Sequence, residues 1–337
     1  MEKETTHKKR ILTGMRPTGK LHLGHYVGAL ENWLALQNEY ECFFLIADYQ
    51  ALGDHLGETE RIRNSVIDVV LDWMAVGLDH EKSSFVVQSY IPEYAELFML
   101  LSMFVPLSLV DRNPTLKAEI AQQKKSDVSL GFYNYPVSQA ADILLSQAHL
   151  VPVGEDQLPH IELTREIVRK FNTIYNTKIF QEPKALIGRI PRLVGIDGQA
   201  KASKSLNNAI FLSDSPEEIK AKVKKMYTDP TRIRATDPGH VEGNVVFSYL
   251  DAFYNDKSDL KALKERYEKG QIKDVEVKQL LAETLCAFIA PIREKRSYYA
   301  NNMKEVRRAL QEGTERARTV AQKTMTQVRD VMGITKY

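Results

Sequence analysis

The sequence has few cysteines and no long apolar run, and both shortages limit what the protein can be. Cys42 and Cys286 are its only cysteines, too few and too far apart for a disulfide framework or a cysteine-based metal motif within one chain. No apolar run nears the roughly 18 residues of a membrane-spanning helix. A signal peptide requires an apolar segment after its charged start, and none follows MEKETTHKKR. We therefore expect a cytoplasmic protein without membrane contact. Its 337 residues and 43% hydrophobic content allow a large core and favour two domains.

The charge of the chain is balanced overall but not along its length. The formal net charge is +2 at pH 7. From Arg293 to Tyr337, eleven Lys or Arg residues stand against five Asp or Glu residues, an excess of six positive charges. This asymmetry is compatible with a polyanionic partner and equally with a solvated helix face. Charge alone does not decide between these interpretations.

Short apolar runs alternate with longer amphipathic segments in the first two thirds of the chain. The runs are RILTG, CFFLIAD, FVVQS and HLVPVG. Between the second and third runs, apolar residues follow the spacing of one helix face at Ile62, Val66, Val69 and Trp73. This alternation is typical of β-α-β units and predicts an α/β fold with a parallel sheet.

The alternation is interrupted once and then ends. The stretch VDRNPTLKAEIAQQKKSDVSLGFYNYP is polar, basic and poorly periodic, so we predict a mobile excursion over the sheet. Ser215 and Pro216 are typical of a helix start, and no strand pattern follows them. We predict helices from there to the C-terminus, with a kink or boundary at Pro291 and a break at Gly313.

The first stretch whose residues could bind a ligand or take part in catalysis is TGMRPTGKLHLGHYVGAL, from Thr13 to Leu30. If the first strand ends near its beginning, the turn and the HLGH segment lie at the carboxyl end of a parallel strand, where open α/β sheets bind ligands. Backbone N–H groups at a helix start favour a phosphate, and Gly24 lets a nucleotide approach closely. His22 and His25 would then act as hydrogen-bond donors to this ligand. A zinc site needs further ligands that the neighbourhood does not offer, and two loop histidines taken alone are more often structural than catalytic.

The second stretch is KASKS, Lys201 to Ser205, directly after the glycine-bearing loop GIDGQA. Two cations three residues apart can hold a triphosphate and neutralise the charge that develops when pyrophosphate leaves. Such pentapeptides are common in surface loops. The pairing with HLGH favours the functional interpretation.

Together these stretches resemble the His-x-Gly-His and Lys-Met-Ser-Lys-Ser signatures of class I aminoacyl-tRNA synthetases. The segments GMRPTGKLHLGHYVGALENW, QAADILL, VPVGEDQLPHIELTREIVRKFN and TDPTRIRATDPG are similar to those of the bacterial-type tryptophanyl-tRNA synthetase family, and the resemblance covers almost the whole chain. It implies ATP, Mg²⁺, L-tryptophan and tRNA(Trp) as ligands, and a homodimer. It also implies a Rossmann-type catalytic domain over residues 1–205 and an all-helical anticodon-recognition domain over residues 206–337.

The resemblance also implies roles for individual residues. The catalytic residues would be His22, His25, Lys201 and Lys204. The ATP contacts would be Arg16, Pro17, Thr18, Gly24, His25, Gly154, Glu155, Asp156, Ile190, Lys201, Ala202, Ser203, Lys204 and Ser205. The tryptophan contacts would be Asp142, Gln157 and Tyr135.

Each tryptophan contact has a simpler alternative. Asp142 stands in the apolar helical segment AADILL, where burial demands a donor for its carboxylate; an indole N–H is one such donor, and a neighbouring backbone amide or Arg is another. Gln157 could be an ordinary polar residue at a helix start. Tyr135 could belong to the core.

Three departures from the family pattern stand out. Gln50 occupies a position at which bacterial relatives usually carry His, and Ala202 replaces the Met of the lysine signature. Some relatives hold an iron–sulfur cluster on four cysteines, and two cysteines cannot hold one. We therefore expect no iron–sulfur cluster, zinc or other resident metal.

Three rival functions remain at this point. A tyrosyl-tRNA synthetase shares the fold and the motifs but recognises a phenol. A small-molecule nucleotidyltransferase also uses His-x-Gly-His yet needs no basic helical domain. A non-catalytic nucleic-acid-binding paralogue is disfavoured because His22, His25, Lys201 and Lys204 are all present.

Overall fold

A computed structural model describes residues 8–122, 128–187, 193–199, 201–204, 206–229, 232, 234 and 236–334. Five parallel strands form one sheet: β1 Arg10–Met15, β2 Glu41–Ile46, β3 Ser83–Val87, β4 Leu150–Val153 and β5 Lys184–Ile187. The strand order is β3-β2-β1-β4-β5, which is the order of a Rossmann-type sheet. The prediction of an α/β fold with a parallel sheet is confirmed. The four apolar runs became β1 to β4, whereas β5 was not predicted.

The other regular elements of the described chain are helices, joined by loops and turns. Before β5 they are α1 Leu23–His25, α2 Glu31–Glu39, α3 Asp48–Asp54, α4 Thr59–Val76, α5 Glu93–Ser102, α6 Leu107–Asp111, α7 Pro114–Gln122, α8 Leu130–Leu145 and α9 Leu158–Ile174. After β5 they are α10 Pro216–Lys224, α11 Val245–Phe253, α12 Lys257–Glu268, α13 Asp274–Asn301 and α14 Met303–Val331. A π-helical turn, Tyr26–Leu30, joins α1 to α2. The C-terminal region is helical as predicted, with no strand among its described residues.

Both faces of the sheet are buried, which explains the continuous apolar runs. Along β2, Cys42 and Phe44 face one hydrophobic core, and Phe43 and Leu45 face the other. Successive side chains of a strand point to opposite faces, so a strand covered on both sides needs apolar residues at every position. The first core also contains residues of α10 to α13, and the second contains residues of α14. The C-terminal helices therefore pack directly against the sheet region.

The segment expected to be a mobile excursion is largely helical in its described part, which its weak periodicity did not predict. Pro114 begins α7, and the Asn113 side chain accepts hydrogen bonds from the N–H groups of Thr115 and Leu116. Ser129 caps α8 by accepting from the Phe132 N–H. These caps satisfy backbone N–H groups at the helix starts. They stabilise two helices that a weak apolar periodicity does not reveal.

Neither a helix boundary at Pro291 nor a break at Gly313 is found in the described C-terminal helices, and a kink at Pro291 stays a prediction. Helix α13 continues through Pro291, and α14 continues through Gly313. Gly313 has another role: a Cβ at this position would lie 2.4 Å from the carbonyl oxygen of Phe85. The glycine therefore lets α14 rest directly on β3.

Helix α14 covers the edge strand of the sheet. The hydroxyl of Thr314 accepts a hydrogen bond from the Val87 N–H, at 3.2 Å. The Arg316 guanidinium donates to the Ser83 carbonyl at 2.9 Å. These side chains satisfy backbone groups that an uncovered edge would leave unpaired. No helix in the described part of the chain has the length and apolar content needed to cross a membrane.

Candidate active site

A cavity of about 900 Å³ opens at the carboxyl ends of β1 and β4. The chain leaves these neighbouring strands in opposite directions, so the loops that follow them separate and leave a crevice. Met15, the last residue of β1, lines it with Arg16, and Val153, the last residue of β4, lines it with Gly154. Its volume suits a small-molecule ligand.

Asp142 lies on α8 with its carboxylate against this cavity. The residue is 4% exposed. The Gln88 carboxamide donates to Oδ1 at 2.7 Å, and the Gln50 carboxamide donates to Oδ2 at 3.1 Å. Burial raises the pKa of Asp142 to about 7, although both carboxamides favour the charged form. The site thus holds an acceptor that is costly to ionise and has capacity for a further donor.

Gln50 and Tyr135 line the same part of the cavity. The Gln50 Nε2 also donates to the Ser138 hydroxyl at 3.1 Å, while its buried Oε1 has no hydrogen-bond partner among the described residues. The Tyr135 hydroxyl lies 3.0 Å from His160 Nε2. Burial lowers the pKa of His160 to about 4, so its ring is neutral and fixes the tyrosine without adding charge.

The HLGH segment forms a compact turn at the start of α1. His22 caps the helix: its Nδ1 accepts from the Gly24 N–H at 3.1 Å, and the His22 N–H donates to His25 Nδ1 at 3.2 Å. The two ring centroids lie 3.8 Å apart. A Cβ on Gly24 would approach the His22 ring to 2.9 Å. The spacing His-x-Gly-His is therefore required by the local packing.

Both imidazoles are neutral and have the same tautomer. Burial, with Lys204 and Lys201 nearby, lowers the pKa of His22 to about 3. Loss of surrounding water, then His22 and the two lysines, also holds the pKa of His25 well below its ordinary value. Because each Nδ1 accepts a backbone N–H, each ring hydrogen is on Nε2. The pair offers two N–H donors without positive charge.

Lys204 lies beside the turn that precedes HLGH. Its ammonium donates to the Gly19 carbonyl at 2.6 Å and to the Thr18 hydroxyl at 3.3 Å. Burial lowers its pKa to about 8, while the carboxylates of Asp72 and Asp68 favour the charged form. Lys201 is exposed and forms a short antiparallel bridge with Val194.

The two signatures meet although they are far apart in sequence. His22 forms an antiparallel bridge with Phe211, and the N–H groups of Leu23 and Leu212 donate to Ile210 and Leu21. Asn208 holds the lysine loop, since its Oδ1 accepts from the Ser203 N–H at 2.8 Å. The imidazoles and lysines thus surround one region, as anion binding requires.

The remaining predicted residues divide into four groups. Gln157 lines the cavity together with Arg16 and Gly154. Pro17 and Thr18 belong to the turn after β1, while Glu155 and Asp156 form a 3-10 turn with Gln157 before α9. Ala202 is buried, and its N–H donates to Leu193. Ile190 and Ser205 lie outside the described residues.

One group of side chains in the described part of the chain could hold a metal ion, namely His80, Glu81 and Glu312. None of these residues lines the cavity. The Arg308 guanidinium already approaches Glu81 at 3.4 Å and Glu312 at 3.8 Å, so the carboxylates have a cationic partner.

Sequence reasoning missed Gln88 and the role of Asn208. Gln88 is fully buried and directly follows β3, and a polar residue at the carboxyl end of a buried parallel strand is a recognisable signal. Asn208 has no comparable signal, because its hydrogen bonds depend on how the loop folds back.

Comparison with known proteins agrees with this geometry. Residues 3–290 match the family model described as tRNA synthetases class I (W and Y). The chain is 54% identical over 332 residues to the tryptophan–tRNA ligase of Clostridium longisporum, covering 97% of both chains. It is 52% identical to that of Streptococcus pyogenes serotype M3 over 98% of this chain and 99% of the relative. A crystal structure of tryptophanyl-tRNA synthetase from Campylobacter jejuni, complexed with ADP and tryptophan, superimposes with a TM-score of 0.85 at 34% identity and covers 96% of this chain and 99% of the other.

Proposed function

Because this chain belongs to the class I tRNA synthetases of the tryptophan and tyrosine group, we propose that it ligates L-tryptophan to tRNA(Trp) through a tryptophanyl adenylate. Similarity to tryptophan–tRNA ligases over nearly the whole chain carries this assignment. The cavity with its buried acceptor Asp142 and the cluster of imidazole and lysine groups at the start of α1 support it in physical terms. ATP and tryptophan are the small-molecule substrates.

In the first step a carboxylate oxygen of tryptophan attacks the α-phosphorus of ATP, and pyrophosphate leaves. No protein nucleophile is required, so the protein acts by aligning two anions and stabilising the charge that builds on the phosphates. His22 and His25 supply neutral Nε2–H donors. Lys201 and Lys204 supply positive charge, and Lys204 is already fixed beside Thr18.

The remaining contacts follow the course of the cavity. Asp142 accepts the indole N–H, with Tyr135 and Gln157 against the rest of the amino acid. Arg16 and Gly154, at the carboxyl ends of β1 and β4, face the nucleotide. Ala202 and Ser203 contribute through the backbone of the lysine loop. Pro17, Thr18, Gly24, Glu155 and Asp156 complete the proposed ATP contacts, with Ile190 and Ser205 beyond the described residues.

Mg²⁺ enters with the nucleotide as MgATP in this proposal. It prefers oxygen ligands, whereas the residues at the phosphate region are imidazoles and ammonium groups. The phosphate oxygens therefore hold the ion.

In the second step the ribose hydroxyl at the tRNA terminus attacks the adenylate carbonyl, and AMP leaves. We assign adenylation to residues 1–205 and anticodon recognition to residues 206–337, which are helical wherever they are described as regular structure. We also propose a cytoplasmic location, where tRNA charging serves translation.

We propose a homodimer as well. Met99, Met103 and Leu107 are each more than half exposed, and a dimer contact would remove these apolar side chains from water. A solution mass of about twice 38.4 kDa would support this state, and a monomer at micromolar concentration would contradict it.

Amino-acid-dependent exchange of pyrophosphate into ATP tests the function. With each standard amino acid offered separately, we expect exchange with tryptophan alone. Exchange with tyrosine instead would favour the tyrosyl alternative, and exchange without any amino acid would favour a small-molecule nucleotidyltransferase.

A further inference from the structure

A buried ion pair connects the C-terminal helices to the first signature. Arg296, on α13, donates from Nε to Asp72 Oδ1 at 2.6 Å and from its terminal nitrogen to Asp68 Oδ1 at 2.5 Å. Both carboxylates lie on α4, one helical turn apart. Like charges at this spacing repel each other, and the planar guanidinium fork neutralises them together.

Asp72 continues the connection toward the site. It has no exposed surface, and its second oxygen, Oδ2, accepts a hydrogen bond from the Leu21 N–H at 2.7 Å. Leu21 directly precedes His22. One carboxylate thus joins a guanidinium of α13 to the backbone of the turn that positions both imidazoles.

The same carboxylates act on the lysine signature. Asp72 and Asp68 favour the charged form of Lys204, against its burial and the nearby Arg61. Lys204 in turn donates to the Gly19 carbonyl. The turn between Gly19 and Leu21 is therefore held on one side by Lys204 and on the other by Asp72.

We propose that Arg296 is a positioning residue for adenylation, which acts through Asp72 to hold the turn that carries His22. The inference rests on the proposed function and adds a role that lies within the region assigned to anticodon recognition. Loss of the guanidinium leaves a buried carboxylate without its cation. That carboxylate then becomes protonated or shifts toward water, and the Leu21 amide loses a charge-assisted acceptor.

The test is tryptophan-dependent pyrophosphate exchange with the full chain. We expect Arg296→Met to lower kcat by at least about tenfold, because small displacements of aligned groups are costly. The KM for tryptophan should change by less than about twofold, because Asp142 is held by Gln50 and Gln88. Arg296→Lys should recover part of kcat, since one ammonium can pair with Asp72 but cannot span both carboxylates.

Two further variants separate positioning from folding. Lys295→Met removes an exposed charge from the neighbouring position of α13 and should leave kcat unchanged. In the double variant Arg296→Met with Asp72→Asn no carboxylate is left unpaired at position 72, so the thermal midpoint should recover while kcat stays at least about tenfold low.

Full recovery of both kcat and the thermal midpoint in the double variant would show that the Arg296–Asp72 pair serves folding alone. This result would overturn the proposal. Equal activity of Arg296→Met and Lys295→Met would overturn it as well. Absence of exchange in the wild type would instead refute the proposed reaction.

Discussion

At the scale of one residue, the Asp142 carboxyl group, which we propose to bind tryptophan, lowers the free energy of unfolding near neutral pH. Its pKa in the folded protein is about 7, against an ordinary value of 3.8, because burial disfavours the charge. Between these two values the unfolded chain is ionised at this position and the folded chain is not. The contribution of Asp142 to the free energy of unfolding therefore falls as pH rises from about 4 to about 7.

Replacement of this carboxyl by a neutral amide should remove that pH dependence. We expect Asp142→Asn to stabilise the protein more at pH 8 than at pH 5, by about 2 kcal/mol of unfolding free energy. Urea denaturation at both pH values measures the difference. An identical effect at pH 5 and pH 8 would contradict the raised pKa.

The same residue should determine the preference for tryptophan. In Asp142→Ala the indole N–H loses its acceptor, which should cost roughly 1.5 to 3 kcal/mol. Phenylalanine has no such donor and should lose much less, so the tryptophan-to-phenylalanine ratio of kcat/KM should fall by at least about tenfold. Pyrophosphate exchange with each amino acid provides the ratio. Equal losses for both would place Asp142 in support of the fold or of the ATP site.

Deprotonation of Lys204 should limit the use of ATP at alkaline pH. Burial sets its pKa at about 8 in the free protein, and kcat/KM reports the ionisation of the free enzyme. We expect kcat/KM for ATP to decline as pH rises through about 8, because the neutral amine cannot attract the phosphates. Lys204→Arg remains charged over this range, so whatever activity it retains should show no such decline. A decline shared by both proteins would assign the ionisation to another group.

At the scale of elements, the contact of α14 with β3 depends on the lack of a side chain at Gly313. A Cβ there would overlap the Phe85 backbone, with distances of 2.4 Å to the oxygen and 2.5 Å to the nitrogen. Because these atoms belong to the sheet, the helix would have to move. The Thr314 contact to β3 would then be lost as well.

We therefore expect Gly313→Ala to destabilise the protein by about 1 to 3 kcal/mol, the range for overpacked interiors. Gly131→Ala is a matched control, because this helical glycine of α8 has open space around its Cβ position. The control should be neutral or stabilising by up to about 1 kcal/mol. Thermal unfolding of the two variants compares them, and a stabilised Gly313→Ala would show that the helix contact is not tight.

At the scale of the whole molecule, much of the C-terminal basic excess has a structural use. Arg296 pairs with Asp72, Arg316 holds β3, and Arg329 pairs with Glu96. These guanidinium groups attach the helices to the sheet region. The exposed cations Lys304 and Arg307 are better placed to meet a polyanion.

Replacement of Lys304 and Arg307 by Gln should weaken tRNA binding and make its salt dependence shallower by up to about 2 in logarithmic slope, since each lost phosphate contact removes nearly one unit. Pyrophosphate exchange should not change. Filter binding of tRNA between 50 and 200 mM salt, a range chosen to expose counterion release, gives the slope. Arg329→Gln is the control with a paired cation, and an equal effect there would refute the assignment of the surface.

The sequence by itself determined four of the five strands and both signatures. Strands buried on both faces require continuous apolar runs, and these runs identified β1 to β4 directly. The His-x-Gly-His spacing is a local requirement of capping and ring packing, so it is visible in a few consecutive residues. Strand β5 escaped because its apolar run covers only residues 185–187 and none of its four residues is fully buried. Helix α7 escaped because a side-chain cap, not periodicity, defines its start.

Only the tertiary structure decided which distant side chains act together. Gln88 reaches Asp142 across 54 positions of sequence, and Arg296 reaches Asp72 across 224. No local pattern encodes such pairs, because each depends on the crossing of two helices or on the order of strands in the sheet. The sequence thus supplied the groups that we assign to the proposed reaction. Their protonation and alignment follow from burial and from partners that the fold brings together.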